Sequence, residues 1–196
     1  MIFDGYDFMI VNSTNLFVAH TFWPDNPNPG TLMGSLTTWG LLGMVIGGAI
    51  GGVLSDKIGR KKMLIAAVIF YGAFTLAQAF ANDLAFFAVF RVIAGLGVGS
   101  CIPIVTTVFS ETIPSKRRGL FIGCGQACMV AGWVIAGLVA NPICNAATPI
   151  MGDFTNLVSY VTTTPTGEVI QETMYANWRL CYLIGGFPII YGIILI

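Results

Sequence analysis

From Gly34 to Leu54, and again from Met63 to Phe80, the chain carries no Asp, Glu, Lys, Arg or His. Runs of that length are close to the ~20 apolar residues that span a bilayer, and they leave few folds open. Between them lies Gly52-Val53-Leu54-Ser55-Asp56-Lys57-Ile58-Gly59-Arg60-Lys61-Lys62-Met63-Leu64, which holds one acid and four bases in a short loop. A Lys, Arg or Asp at the bilayer centre costs about 2.5–3.5 kcal/mol, so this loop marks a membrane surface. Lys116, Arg117 and Arg118 form a second basic cluster, which leaves only Arg91 and Arg179 of the nine Lys and Arg residues. Net charge is zero, yet the bases are sorted into two loops. Sorting of this kind reads as topology, with loops 55–62 and 110–119 on the cytoplasmic side of a cell membrane. No basic run suggests a nucleic-acid partner.

The remaining apolar runs complete an all-α integral membrane fold with six transmembrane helices, at about 1–19, 34–54, 63–80, 84–109, 120–140 and 180–196. The connections at 20–33, 81–83 and 141–178 then lie outside. Pro24-Asp25-Asn26-Pro27-Asn28-Pro29-Gly30 reads as a turn-rich, non-helical loop. The insert at 141–178, with Thr162-Thr163-Thr164-Pro165-Thr166-Gly167, lacks the apolar periodicity for a core of its own and reads as a decoration. Phe22, Trp23 and Trp178 fall where an outer aromatic belt is expected.

Two classes of function are disfavoured. Cys101, Cys124, Cys128 and Cys181 fall within expected helices, where Cys acts as a small apolar residue. Cys144 falls in a loop, and no cysteine pair has zinc-ligand spacing with the single histidine, His20. No metal or cofactor site is expected. A membrane-embedded enzyme needs a nucleophile–base pair or a metal cluster, and the sequence offers neither.

Small residues mark the helix contacts. Gly43, Gly47 and Gly51, with Gly48 and Gly52, give overlapping G-x-x-x-G spacing, which lets helix backbones approach closely in lipid. Gly95, Gly97 and Gly99 recur in the fourth helix, and Gly119 and Gly123 open the fifth. Polar groups inside the spans are the functional candidates, because each must be paired or solvated there. Asp4 and Asp7 share one face of the first helix. Arg91 lies in the fourth helix, Glu111 at its end, and Gln126 in the fifth. Asn12, Ser13, Thr14 and Asn15 make the first helix unusually polar.

Several of these spacings resemble those of a known family. Gly52-x-Leu54-x-Asp56-x-x-Gly59-Arg60-Lys61 is similar to the loop between the second and third helices of the major facilitator superfamily of transporters. Gly5-Tyr6-Asp7 resembles a first-helix motif of its proton-coupled sugar porters. Arg91-x-x-x-Gly95-x-Gly97-x-Gly99 resembles their fourth helix, Glu111 seven residues before Arg118-Gly119 their inner loop, and Gln126 followed by Gly132 their fifth helix. Trp178-Arg179 with Pro188 resembles the start of their sixth. There are departures. Where those porters end the fourth helix in P-x-Y-x-x-E, this chain has Thr106 and Val108, with a proline at Pro103 instead. Asp4-Gly5-Tyr6-Asp7 also resembles the D-G-[FY]-D of aromatic-acid and other metabolite:proton symporters.

The resemblance implies the N-terminal half of a twelve-helix fold, with small-molecule substrate and proton moving between two halves by alternating access. Its leading form is proton-coupled symport of a sugar or similar small polar metabolite. The alternatives are an aromatic or organic acid:proton symporter, or a non-transporting receptor or remnant. Asp7, Arg91 and Asp4 are the expected proton-coupling groups, since a buried carboxylate stays ionised beside a guanidinium and takes up a proton when that partner withdraws. Gln126, Asn12 and Asn15 are the expected substrate contacts. Gly52, Asp56, Gly59, Arg60, Glu111 and Arg118 are expected to form the cytoplasmic gate. The family motif Gly-Tyr-Asp lies mid-helix in such proteins, and the sequence ends in an apolar run. Truncation at both ends is therefore expected, with a missing six-helix half or, for a complete chain, a homodimer.

Overall fold

Each apolar run forms a helix, and most of these helices continue into their polar flanks. In the computed structural model, which describes residues 1–22, 29–144, 157–163, 169–175 and 177–194, α1 spans Ile2–Phe22 and α2 Pro29–Ile58. α3 covers Arg60–Ala79, α4 Leu84–Thr112 and α5 Ser115–Cys144. Extension past the apolar limit is what the bilayer demands, because no backbone N–H or C=O can be left unpaired in hydrocarbon. By length and composition α2 (from Met33), α3, α4 and α5 can each cross a membrane. α1 is less apolar, and it buries Asp4, Asp7, Thr14 and Asn15 against its neighbours.

The helices depart from the sequence reading in four places. Pro29 and Gly30 belong to the first turn of α2, where a proline loses nothing by lacking an N–H. The rest of the expected turn, 24–28, and Trp23 lie outside the described residues. Cys144 is not in a loop: it is the last residue of α5 and is buried. The expected sixth helix is broken into α6 (Trp178–Gly185) and α7 (Pro188–Ile194). Pro188 cannot donate to the Ile184 carbonyl, which is taken instead by the Phe187 N–H at 3.1 Å. Trp178 is not a lipid-facing belt residue, for it is fully buried. Its ring meets Phe87 and Tyr182 edge-on, and its N–H donates to Thr21 at 3.0 Å.

The insert carries regular structure that its sequence did not announce. β1 (Leu157–Thr163) and β2 (Val169–Tyr175) form a two-stranded antiparallel ribbon, with Leu157 opposite Tyr175 and Thr163 opposite Val169. Residues 164–167 of the insert lie outside the described residues. The membrane part remains all-helical.

Backbone contact at glycine organises the packing. A methyl group at Gly43 or Gly47 of α2 would fall on the carbonyl of Val92 or Leu96 in α4, and one at Gly99 on that of Met44. The Ser100 hydroxyl donates across the same seam to the Gly47 carbonyl at 2.8 Å. α1 and α5 meet likewise, with Gly5 against the Met129 carbonyl and Gly132 against that of Ile2. Lipid gives helices no hydrophobic reason to associate, so this close van der Waals and hydrogen-bonded contact is the main term that joins them. Gly59, at φ 99°, is the one residue between α2 and α3. Glycine occupies that left-handed region without the steric cost a Cβ would add, which allows the chain to leave one helix and enter the next within a residue.

Candidate functional site

Helices α1, α3 and α4 meet at Asp7. Its Oδ2 lies 3.1 Å from Arg91 Nη1, and the two side chains are only 2% and 5% exposed. Its Oδ1 accepts a hydrogen bond from Thr75 Oγ1 at 2.6 Å. Gly40 in α2 is what makes room for the guanidinium, since a Cβ there would lie 2.8 Å from Arg91 Nε. Desolvating two such charges is expensive, and only good geometry and further hydrogen bonds offset it. Here the carboxylate has both a charged and a neutral donor.

Each residue of Asp4-Gly5-Tyr6-Asp7 addresses a different neighbour. Asp4 is buried beside the Tyr71 hydroxyl of α3 and lies 2.6 Å from the Met1 amino group. Gly5 rests on the α5 backbone. The Tyr6 hydroxyl donates to the Cys181 carbonyl of α6 at 3.1 Å. One turn of α1 is thus joined to α3, α4, α5 and α6.

Farther along α1, Thr14 pairs with the Tyr182 hydroxyl at 3.1 Å. The buried Asn15 amide donates to Thr37 Oγ1 at 2.8 Å, and Thr37 in turn donates to Asn12 Oδ1 at 3.2 Å. Asn15 is therefore committed to the α1–α2 contact, while Asn12 remains exposed. Gln126 also lies on an exposed face of α5 and hydrogen-bonds to none of these residues. Asn12 and Asn15 are brought together, and Gln126 is not joined to them.

At the basic end, Arg60 forms an ion pair with Glu111, joining the start of α3 to the end of α4. It also lies 3.5 Å from Asp56, one turn back across Gly59. Asp56 and Glu111 are 68% and 55% exposed, so these pairs remain hydrated and individually weak. Gly52 has open space around it. Arg118 is exposed and enters none of the ion pairs among the described residues. At the far end, Arg179 of α6 holds the α3–α4 connection by donating to the Ala81 carbonyl at 3.0 Å and to Asn82 Oδ1 at 3.2 Å.

Thr75 and Tyr182 were missed in the sequence. A signal for Thr75 was available: Tyr71, Thr75 and Gln78 recur at helical spacing in the apolar third helix, and all three are buried. Tyr182 had none beyond its place in a helix, because its partner Thr14 lies 168 residues away.

Comparison with known proteins identifies the family. Residues 2–196 match the Major Facilitator Superfamily. The chain is 31% identical over 195 residues to the niacin transporter NiaP of Acinetobacter baylyi, and 28% identical over 193 residues to the gentisate transporter of Corynebacterium glutamicum. Those alignments cover 100% and 98% of this chain but only 37% of each relative. Among solved structures, the xylose transporter XylE from E. coli in a partially occluded inward-open conformation superposes with a TM-score of 0.77 at 20% identity, over 99% of this chain and 46% of that one. The glycine-packed helices, the buried Asp7–Arg91 pair and the Asp56–Arg60–Glu111 cluster are therefore those of a multi-pass membrane protein, and the chain belongs to the major facilitator superfamily.

Proposed function

We propose that this chain is the N-terminal half of a secondary active transporter that couples proton movement to uptake of an aromatic or other organic acid. The buried Asp7–Arg91 pair carries the reading. Two opposite charges on different helices form a contact that a relative movement of α1 and α4 makes or breaks. Closed, the guanidinium keeps Asp7 ionised; parted, a buried carboxylate is favoured in its protonated form. Thr75 steadies the ionised state by donating to Oδ1. A substrate-driven movement then takes up a proton on one side and releases it on the other. Segments 55–62 and 110–119, loops in the sequence reading, are helical on both sides of Gly59 and of Ile113–Pro114. These helix ends are the cytoplasmic ones in this proposal, and the Asp56–Arg60–Glu111 cluster is the inner gate, weak enough to open in every cycle.

The sequence left sugar and acid open as substrates, with sugar leading. The relatives favour the acid: niacin and gentisate are both aromatic carboxylates, and the similar proteins are named as their transporters. The likeness to a xylose carrier is one of fold, at 20% identity. Asn12, exposed on α1, and Gln126, exposed on α5, remain the substrate contacts in this proposal, facing a second six-helix half. Asn15 acts by positioning Thr37 and Asn12.

Uptake by cells that express the full-length protein tests the reading. Labelled niacin or gentisate is expected to accumulate under an inward proton gradient and to be indifferent to excess xylose. Accumulation of xylose, displaced by other sugars and not by aromatic acids, would return the assignment to the sugar class.

A further inference from the structure

The basic end holds a second feature that the Asp7–Arg91 pair does not use. Between α2 and α3, with α4 as its floor, runs an apolar groove of about 380 Å³. Gly47, Ile50 and Leu54 line one wall, Ala66 and Phe70 the other, and Gly97 lies beneath. The Ser100 hydroxyl, which also borders it, is already engaged with the Gly47 and Leu96 carbonyls at 2.8 and 2.7 Å. A sugar or carboxylate entering this groove would lose its water and find no hydrogen bond in exchange, which is costly. Ile50 and Phe70 are 52% and 41% exposed, so the groove opens sideways, away from the helix bundle.

Its length and its mouth narrow the occupant further. From Gly47 to Ile58 the groove follows α2 for about 16 Å at 1.5 Å per residue. That is half of the ~30 Å hydrocarbon thickness, the depth of one leaflet. At the basic end each wall continues into an exposed lysine. Lys62, Ala66 and Phe70 succeed one another at four-residue steps on α3, and Lys57 follows Leu54 by one turn on α2.

We propose that this groove binds one phospholipid with an anionic headgroup, its acyl chain along Gly47–Ile58 and its phosphate between Lys57 and Lys62. Charge complementarity selects the headgroup, since basic residues at the membrane surface attract anionic lipids. The start of α3 adds its helix dipole in the same sense. The site stands apart from the transport reading and does not depend on it.

Native mass spectrometry of the full-length protein, taken from micelles holding equal amounts of phosphatidylglycerol and phosphatidylcholine, tests the proposal. One phosphatidylglycerol is expected to be retained at least fivefold over phosphatidylcholine, from an effect of about fivefold per lysine. Ala66→Trp, which fills the groove, is expected to cut retention of both lipids at least tenfold. Ala85→Trp, at an exposed position outside the groove, is expected to leave it unchanged. Lys57→Gln with Lys62→Gln is expected to abolish the preference and keep weak binding. A phosphatidylglycerol with a diazirine in its acyl chain needs no variant, and is expected to label Leu54, Ala66 or Phe70 of the unaltered protein. Equal retention of the two lipids, labelling confined to α5, or an equal loss in the two tryptophan variants would each overturn the assignment.

Discussion

Asp7 is the residue on which the site depends, and its partners are unequal. Arg91 supplies the charge and Thr75 a short neutral donor at 2.6 Å. Removing one member of a buried ion pair leaves the other uncompensated, at about 3–5 kcal/mol. Arg91→Gln is therefore expected to lower thermal stability strongly, and Asp7→Asn combined with it to recover part of the loss. Thr75→Val removes a hydrogen bond to a charged group, expected at about 1.5–3 kcal/mol, and a thermal melt of the single and double variants checks all three. The sequence disclosed Asp7 and Arg91 because charges in apolar runs stand out. It concealed Thr75, because one hydroxyl in an apolar helix has the same spacing whether it bonds its own backbone or a distant carboxylate.

The helix pairs rest on glycine, but not on every glycine. Gly47 touches the Leu96 carbonyl where a side chain would sit, while Gly52, one and a half turns on, has open space. Gly47→Val is expected to force α2 from α4 and to destabilise the protein severely, and Gly52→Ala to leave its melting temperature unchanged. Gly59→Ala is a third case: space is open there too, but φ is 99°, and a Cβ in the left-handed region costs about 1–2 kcal/mol. All three glycines were visible as spacing in the sequence, yet their separate reasons were not. Spacing marks a close approach in general; only the position of the facing carbonyl says which glycine makes it. The helices themselves were legible from apolar run length, and the break in the last one at Pro188 was foreshadowed by the proline. The antiparallel ribbon was not, because two short strands pair through backbone groups that leave little trace in a polar, threonine-rich segment.

On the scale of the molecule, the chain spans 37% of the length of the niacin and gentisate transporters that it resembles, and 46% of the solved xylose carrier. Large exposed apolar residues line α2, at Val45, Ile46 and Val53, α5, at Leu120, Val134 and Leu138, and α7, at Ile190, Ile193 and Ile194. A bilayer or a second half can cover these faces. The cluster at the basic end binds α3 to α4 through Arg60 and Glu111. Glu111→Gln is expected to weaken that closure, raising the reactivity of a cysteine introduced at Ser115 toward a water-soluble maleimide added from the basic side. The central claim remains the Asp7 proton. Proteoliposomes holding the full-length protein with Asp7→Asn separate coupled from uncoupled movement of a labelled aromatic acid. Exchange across the membrane at equal pH is expected to persist, and accumulation driven by an imposed proton gradient to vanish. Accumulation equal to that of the unaltered protein would contradict proton coupling at Asp7.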